Sequence, residues 1–525
     1  MELLPDGVSA QSFNAAIAAI RGIVGAEWVI VDETPLSSYR DAYSPLPDGS
    51  LLPSAAVAPD GVEQVQQILK VVNDHKIPIW TIGTGRNFAY GGPAPRKSGY
   101  VMLDLKRMNR VLEVNEKYGY ALVEPGVSYM QLYQHLQKMG SKLWIDAAAP
   151  AWGGVIGNAL EHGAGYTPYG DHFMMQCGME VVLADGTVVR TGQGALQGSK
   201  HWQVSKHALG PHVDGLFTQS NFGVVTKMGI WLMHEPPGYK PFMITVPKED
   251  DLERLIDIAR PLKINQLIPN GVVAVDLLWE VSAKATRRHY YDGKGPLPVS
   301  VRNKIMADHD LGMWNFYGAL YGPPPMMENT WKVIEAAFRQ IPGAKFYFDR
   351  KDDPAWSYRA QLMRGVPNMT EFSIMNWVGG GGHINFSPMS APDGKEAMAQ
   401  YRAIEKRCHE YGFDYIGEFV IGWRDMHHIL MIMFDRADED QRKKAYDLFA
   451  LLIDEAAELG FGEYRTHLAF MDQIAKTYNY NDHALWDVHH RLKDALDPNG
   501  VLSPGKMGIW PKGLRGTAAT APPKA

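Results

Sequence analysis

The sequence predicts an α+β protein of two domains. Three observations carry this: a strand–helix–strand pattern over 55–80, an Asp-Gly hairpin over 180–190, and a break at 234–238 after which strand and helix patterns start afresh. In the first block, 55–58 reads as a strand. Val62, Val65, Ile68, Leu69 and Val72 then recur at helical spacing behind a capping Asp60, and 77–80 opens a second strand. The unit is about 25 residues long, a length that suits a crossover connection. Further strands are expected at 100–105, at 111–114 and 120–123 across a polar turn, at 180–183 and 187–190 across Ala184-Asp185-Gly186, and at 224–232. Tyr129, Leu132, Tyr133 and Leu136 mark a helix. The second block opens with a strand at 242–246 and an acidic helix at 248–258. It ends in helical patterns at 443–459 and 484–496. The tail after Trp510 is small, polar and proline-rich, and is expected to be loose.

Composition excludes several classes. The chain has 525 residues, with 52 Lys and Arg against 58 Asp and Glu for a formal charge of −6, and 46% apolar residues. That is enough to bury a large core, and the mild acidity argues against nucleic acid as partner. Cys177 and Cys408 exclude a disulfide scaffold or a Cys-ligated metal site and read as buried small hydrophobes. His427-His428 resembles a metal pair, but neighbours on a strand face opposite ways. The N-terminus carries Glu2 and Asp6 and makes a poor signal peptide. The longest apolar runs, such as 429–434, fall far short of the roughly 20 residues that span a bilayer, so no membrane partner is expected and the expected location is the cytoplasm.

Two glycine-rich stretches carry the chemistry. Thr84-Gly85-Arg86-Asn87-Phe88-Ala89-Tyr90-Gly91-Gly92 follows a predicted strand, where successive backbone N–H groups make a nest for a pyrophosphate; its spacing is not that of a nicotinamide-binding loop. Gly153, Gly154, Gly157, Gly163, Gly165 and Gly170 crowd into 18 residues, which suggests backbone packed against something flat or anionic.

With Trp377-Val378-Gly379-Gly380-Gly381-Gly382-His383 and the strings GYTPYGDHFMMQCGMEVVLADG, VEPGV, YRAQLMRGVPN and LDPNGVLSPGK, the chain resembles the vanillyl-alcohol oxidase and p-cresol methylhydroxylase flavoproteins from about Leu52 to Trp510. The resemblance implies an N-terminal segment (1–50) packing on the C-terminal part, an FAD-binding domain (51–237), a cap or substrate domain (238–512) whose end returns to the FAD domain, and a flexible tail (513–525). It places Thr84, Gly85, Arg86, Asn87, Gly157, Asn158, Gly165 and Val225 against FAD. His383 stands where the family's oxidases bond histidine to the flavin. The tyrosine used instead by p-cresol methylhydroxylase is here Met375, so a covalent histidyl-FAD is implied, a linkage that raises the flavin's reduction potential.

Tyr90, Tyr464 and Arg465 match the residues that hold a substrate's phenolic oxygen. A phenol ionises near pH 10, and a nearby cation and donors favour the phenolate, whose electron release drives hydride from the para-benzylic carbon to the flavin. Lys506 matches a basic residue at the flavin end. Glu371 and Glu418 match carboxylates that activate water or order the pocket. The oxidases' aspartate is here Ala149, with Asp146 three residues earlier. The implied activity is an FAD-dependent oxidase of para-substituted phenols (4-alkylphenols, 4-alkylguaiacols, eugenol- or vanillyl-alcohol-like) that reduces O2 to H2O2. The alternative is a 4-alkylphenol dehydrogenase passing electrons to a cytochrome, toward which Ala149 and the stretch 73–82 lean. A homodimer or larger assembly is implied.

Overall fold

The computed structural model describes residues 3–350 and 352–516. Among the described residues three larger sheets build it, beside a two-stranded ribbon of Leu143–Trp144 and Met233–His234. The first has the order Val29–Ile30, Ala55–Val57, Val101–Asp104, Ile79–Ile82, with the first pair antiparallel and the others parallel. The helix Val62–His75 buries Val65, Ile68, Leu69 and Val72 in the core beside it. The crossover is therefore present, but its two strands are not neighbours: Val101–Asp104 lies between them. That strand is buried at every position, which suits the centre of a parallel sheet. Gly61, not Asp60, caps the helix; the Asp60 carboxylate instead accepts a 3.0 Å bond from Arg107.

The second sheet is antiparallel, in the order Val111–Asn115, Tyr120–Val123, Val224–Trp231, Gln176–Val182, Val188–Arg190. Both expected hairpins are in it. The helix Tyr129–Met139 starts at a capping box in which Ser128 and Gln131 satisfy each other's backbone N–H.

The third sheet is the largest, with eight antiparallel strands. Its centre runs Tyr239–Val246, Trp314–Tyr321, Val272–Asp276, Gly417–Ile421, Met426–Asp435, Gly381–Phe386. Period-two alternation sorts its side chains. Phe419, His428, Leu430, Ile432 and Ile384 enter the core, while Glu418, Val420, Ile429, Met431, His383 and Asn385 line a cavity. The His427-His428 pair obeys the same rule. His428 is buried, stacked 4.1 Å from Phe419 and bonded to Tyr415 Oη at 2.7 Å; His427 turns the other way, its ring 4.3 Å from Tyr464. Cys177 and Cys408 are both buried and unpaired.

The N-terminal segment divides its packing. The helix Ala10–Val24 and strand Val29–Ile30 join the first layer, whereas Leu36, Tyr39 and Leu46 join the core of the third sheet. The end of the chain returns to the first sheet. Ile79 N–H donates to Val501 O and Ser503 N–H to Ile79 O, each at 2.8 Å. Lys493, fully buried, pins this return through Asp497 (2.7 Å), Leu502 O (2.6 Å) and Asn221 O (2.8 Å). Burial, only partly offset by Asp497, brings its ammonium down to about 8. Lys493→Met leaves that carboxylate buried without its cation and is expected to cost about 3–5 kcal/mol, read by denaturant unfolding. Of the expected loose tail, residues up to 516 are described and Arg515 holds Asp494 at 2.7 and 2.9 Å; 517–525 lie outside the described residues. Among the described residues no helix is long and apolar enough to cross a membrane.

Candidate active site

The loop after Ile79–Ile82 bends sharply toward the C-terminal block. At Gly91, φ is +113° and a Cβ would stand 2.2 Å from Leu468, so only glycine lets the loop approach that closely. The consequence is that Tyr90 meets Tyr464 and Arg465 across domains.

Two adjoining cavities result. The first is lined by Thr84 and Gly85 of this loop, by Gly157 from the short helix Val155–Leu160, by Val225 from the second sheet, and by Lys506. Arg86, Asn87, Gly153, Asn158 and Arg465 line both cavities. The second adds Tyr90 and Tyr464 from one side, Glu371 and Glu418 from the other, and His383 and Met375. Ala148, Ala149 and Pro150 also face it, so small side chains stand on that wall.

The Arg465 guanidinium lies 4.2 Å from the Tyr90 ring centroid and 5.4 Å from that of Tyr464. Tyr90 Oη meets Ser387 Oγ at 3.2 Å. Burial, together with Tyr90 and against the pull of Arg465, raises the Tyr464 hydroxyl above its ordinary range, so it remains a neutral donor. Arg465 stays charged: burial works against its charge, but Tyr464 and Tyr90 more than compensate. The site thus offers one fixed positive charge flanked by hydroxyl donors, an arrangement that binds an oxyanion.

On the opposite side, Glu418 is pushed up to about 8, first by burial, then with Arg359 lowering it and Glu371 and Glu280 raising it. Glu371 is also raised by burial, against Arg359. Arg359 Nη2 sits 3.3 Å from Glu280 and 3.9 Å from Glu418, one cation against three carboxyl groups. A proton therefore stays in this cluster at neutrality. A raised carboxyl pKa makes its stabilising contribution in full below the unfolded value of about 4.3, and loses it as pH rises through about 8. The Glu418→Gln variant is expected to flatten the alkaline fall of the thermal midpoint over that window, as followed by calorimetry.

His383 is fully enclosed, its Nδ1 without a partner. Burial depresses its pKa to about 4, with Asp41 opposing and His467 assisting. Its backbone N–H donates to Tyr43 O at 3.2 Å, and the Tyr43 ring centroid is 4.9 Å away. Beside it His467 Nε2 meets Asp41 Oδ2 at 2.7 Å. The hydrogen bond from His467 overrides burial and holds Asp41 below the usual carboxylate range.

Most sequence-predicted residues meet at these cavities; two details differ. Gly165 lines neither cavity. A Cβ there would lie 1.5 Å from Asp146 Oδ1, so it makes room for that carboxylate, and Asp146 itself points away from the cavities to His172 and Thr167. Lys506 is where expected but carries a partner, Glu161. Sequence reasoning missed Asp41, Tyr43, His467 and Ser387, and it quoted Arg359 within YRAQLMRGVPN without giving it a part. Each meets a neighbour far away in the chain, and no local pattern announces that partner.

A buried imidazole whose Nδ1 has no partner, in the lining of a cavity that adjoins a glycine-rich nest, fits an FAD. Family models match the chain as "FAD binding domain" over residues 53–192 and as "FAD linked oxidases, C-terminal domain" over 264–507. The protein is an FAD-dependent oxidoreductase of two-domain FAD-linked oxidase architecture. The chain is 43% identical to the flavoprotein subunit of 4-cresol dehydrogenase (hydroxylating) of Pseudomonas putida, across 97% of its own length and 98% of that protein's. It superposes on a substrate-bound p-cresol methylhydroxylase with a TM-score of 0.94 at 42% identity, covering 97% and 99% of the two chains. For the isoeugenol complex of 4-ethylphenol oxidase from Gulosibacter chungangensis the TM-score is 0.95 at 42% identity, covering 98% and 100%. The chain belongs to the vanillyl-alcohol oxidase/p-cresol methylhydroxylase flavoprotein family.

Proposed function

We propose that the protein oxidises para-substituted phenols at the benzylic carbon, taking 4-alkylphenols and related guaiacols as substrates and O2 as electron acceptor. The observation that carries this is the convergence of Tyr90, Tyr464 and Arg465 in the cavity that His383 also lines. Arg465 holds the phenolic oxygen as its anion, and Tyr90 and Tyr464 donate hydrogen bonds to it. FAD held there would supply a two-electron acceptor for the hydride that leaves the benzylic carbon, and Arg465, Tyr90 and Tyr464 would hold the phenolate whose electron release drives that loss and leaves a p-quinone methide. Thr84, Gly85, Arg86, Asn87, Gly157, Asn158 and Val225 hold the cofactor, and His383 is the residue that bonds to it. Neutral at ordinary pH, the His383 ring is in the form that attacks carbon.

Glu418 and Glu371 keep a proton beside the same cavity and govern the fate of the quinone methide: with a water between it and these carboxyl groups the product is an alcohol, without that water an alkene. Lys506, compensated by Glu161, adds little net charge to the flavin end. A second reading, transfer of electrons to a cytochrome, is favoured by the likeness to a p-cresol methylhydroxylase flavoprotein subunit and by the small residues at Ala148 and Ala149.

Two measurements test these readings. Acid-denatured protein should keep its yellow colour on the chain. Mixing native protein with 4-ethylphenol in air should bleach the flavin and release peroxide. Bleaching without peroxide supports the cytochrome route, and no bleaching across a broad phenol panel overturns the substrate class.

A further inference from the structure

A polar network whose inner members, Asp146 and His172, have no part in the chemistry above lies behind the wall that Asn158 gives to both cavities. His172 is 2% exposed, and its two ring nitrogens are both engaged. Nε2 meets Asp146 Oδ1 at 2.7 Å; Nδ1 meets Asn158 Oδ1 at 2.5 Å and Tyr129 Oη at 3.0 Å. The second Asp146 oxygen accepts the Thr167 N–H at 2.7 Å and the Thr167 hydroxyl. Gly163 and Gly165 are glycines for the same reason: a Cβ at Gly163 would meet Asn158 Oδ1 at 2.0 Å, and one at Gly165 would collide with Asp146. The crowded glycines of this stretch thus make room for the protein's own buried side chains.

The network has one open end. Asn158 is half-buried and lines both cavities, its Oδ1 is taken by the imidazole, and among the described residues its Nδ2 donates to nothing. We propose that Asp146 and His172 are positioning residues, the imidazole donating from Nε2 to the Asp146 carboxylate and from Nδ1 to the Asn158 amide oxygen, and that they lock the Asn158 amide with its N–H group turned to the flavin. The carboxylate that the sequence lacks at Ala149 stands one layer back and acts through His172 and Asn158. A carboxylate orients the imidazole, the imidazole orients the amide, and the amide then gives the ring a donor that needs no reorganisation when electron density arrives. This inference rests on FAD binding alone and not on the phenol chemistry.

The test uses holoprotein and a dye-coupled reductive titration, which needs no substrate. Loss of one hydrogen bond to a charged ring is worth about ten-fold. At the wild-type midpoint, Asn158→Ala and His172→Phe should each lower the ratio of reduced to oxidised flavin by about that factor and shift the visible band of the oxidised flavin. The double variant should do no more than either single one, because both remove the same donor. Asp146→Asn, which keeps the shape of the side chain, should move ratio and band in the same direction, and Tyr129→Phe serves as the packing control with little change. Folded, yellow variants with the wild-type ratio and spectrum would overturn the proposal, as would a double variant whose effects simply add. A colourless wild-type chain would overturn FAD binding and this inference together.

Discussion

Arg465→Ala is expected to slow anaerobic flavin bleaching by a para-alkylphenol about 10²–10³-fold at neutral pH, the range seen when one preorganised oxyanion donor is removed. The loss should shrink as pH rises. The guanidinium is the fixed positive charge beside Tyr90 and Tyr464, and on the proposed reading it would lower the pKa of a phenol bound there. Without it, ionisation of the bound phenol falls back toward the free value near 10, so activity returns as bulk pH approaches about 10. Stopped-flow bleaching across that range separates two cases. A deficit that closes at alkaline pH marks Arg465 as the group that holds the anion. A deficit of constant size would mean that it only orders the pocket, and Tyr464→Phe should then mimic it at every pH.

His383→Ala is expected to abolish chain-bound colour after acid denaturation altogether while leaving a yellow native protein. The loop at 84–87, Gly157 and Asn158 still line the first cavity in that variant. The same residue is expected to set a pH limit on cofactor attachment. Burial holds its ring at about 4, against the pull of Asp41, so the neutral form dominates at and well below neutrality. Apoprotein mixed with FAD should therefore acquire acid-stable colour at an undiminished rate down to mildly acid pH, and lose the ability only on approach to about 4. A rate that already halves near the ordinary histidine value of about 6.5 would show the ring to be wetter than its enclosure implies.

The parts of this molecule that could be read along the chain are those whose cause is local. The Asp-Gly turn forms its hairpin because that dipeptide supplies the backbone angles the turn needs, and the 62–75 helix forms on the spacing of Val65, Ile68, Leu69 and Val72. Strand order has no such local signal: nothing near 79 or 101 says that Val101–Asp104 will slip between two strands joined by a helix. The site divides in the same way. His383 ends the glycine-rich string 377–383, and Tyr464 and Arg465 are matched by resemblance to a family. Asp41 beside His467, and Arg359 among three carboxyl groups, are pairings between distant parts of the chain, fixed only by packing. The glycines at 163 and 165 misled for a related reason. Their density signals close approach, but the approaching groups, Asn158 and Asp146, come from the chain itself.

The return of residues 497–507 to the edge of the first sheet bears on how the holoprotein is made. Ile79 reaches its backbone partners Val501 and Ser503 only there, and Leu502, Ser503, Lys506 and Met507 close a wall of the first cavity. A nascent chain therefore has the glycine-rich loop after Ile82 long before it has the residues that complete the first cavity. On the proposed reading, loading waits until residues 497–507 have been made and have docked on the first sheet, so a chain truncated before them is expected to hold its vitamin-derived partner poorly.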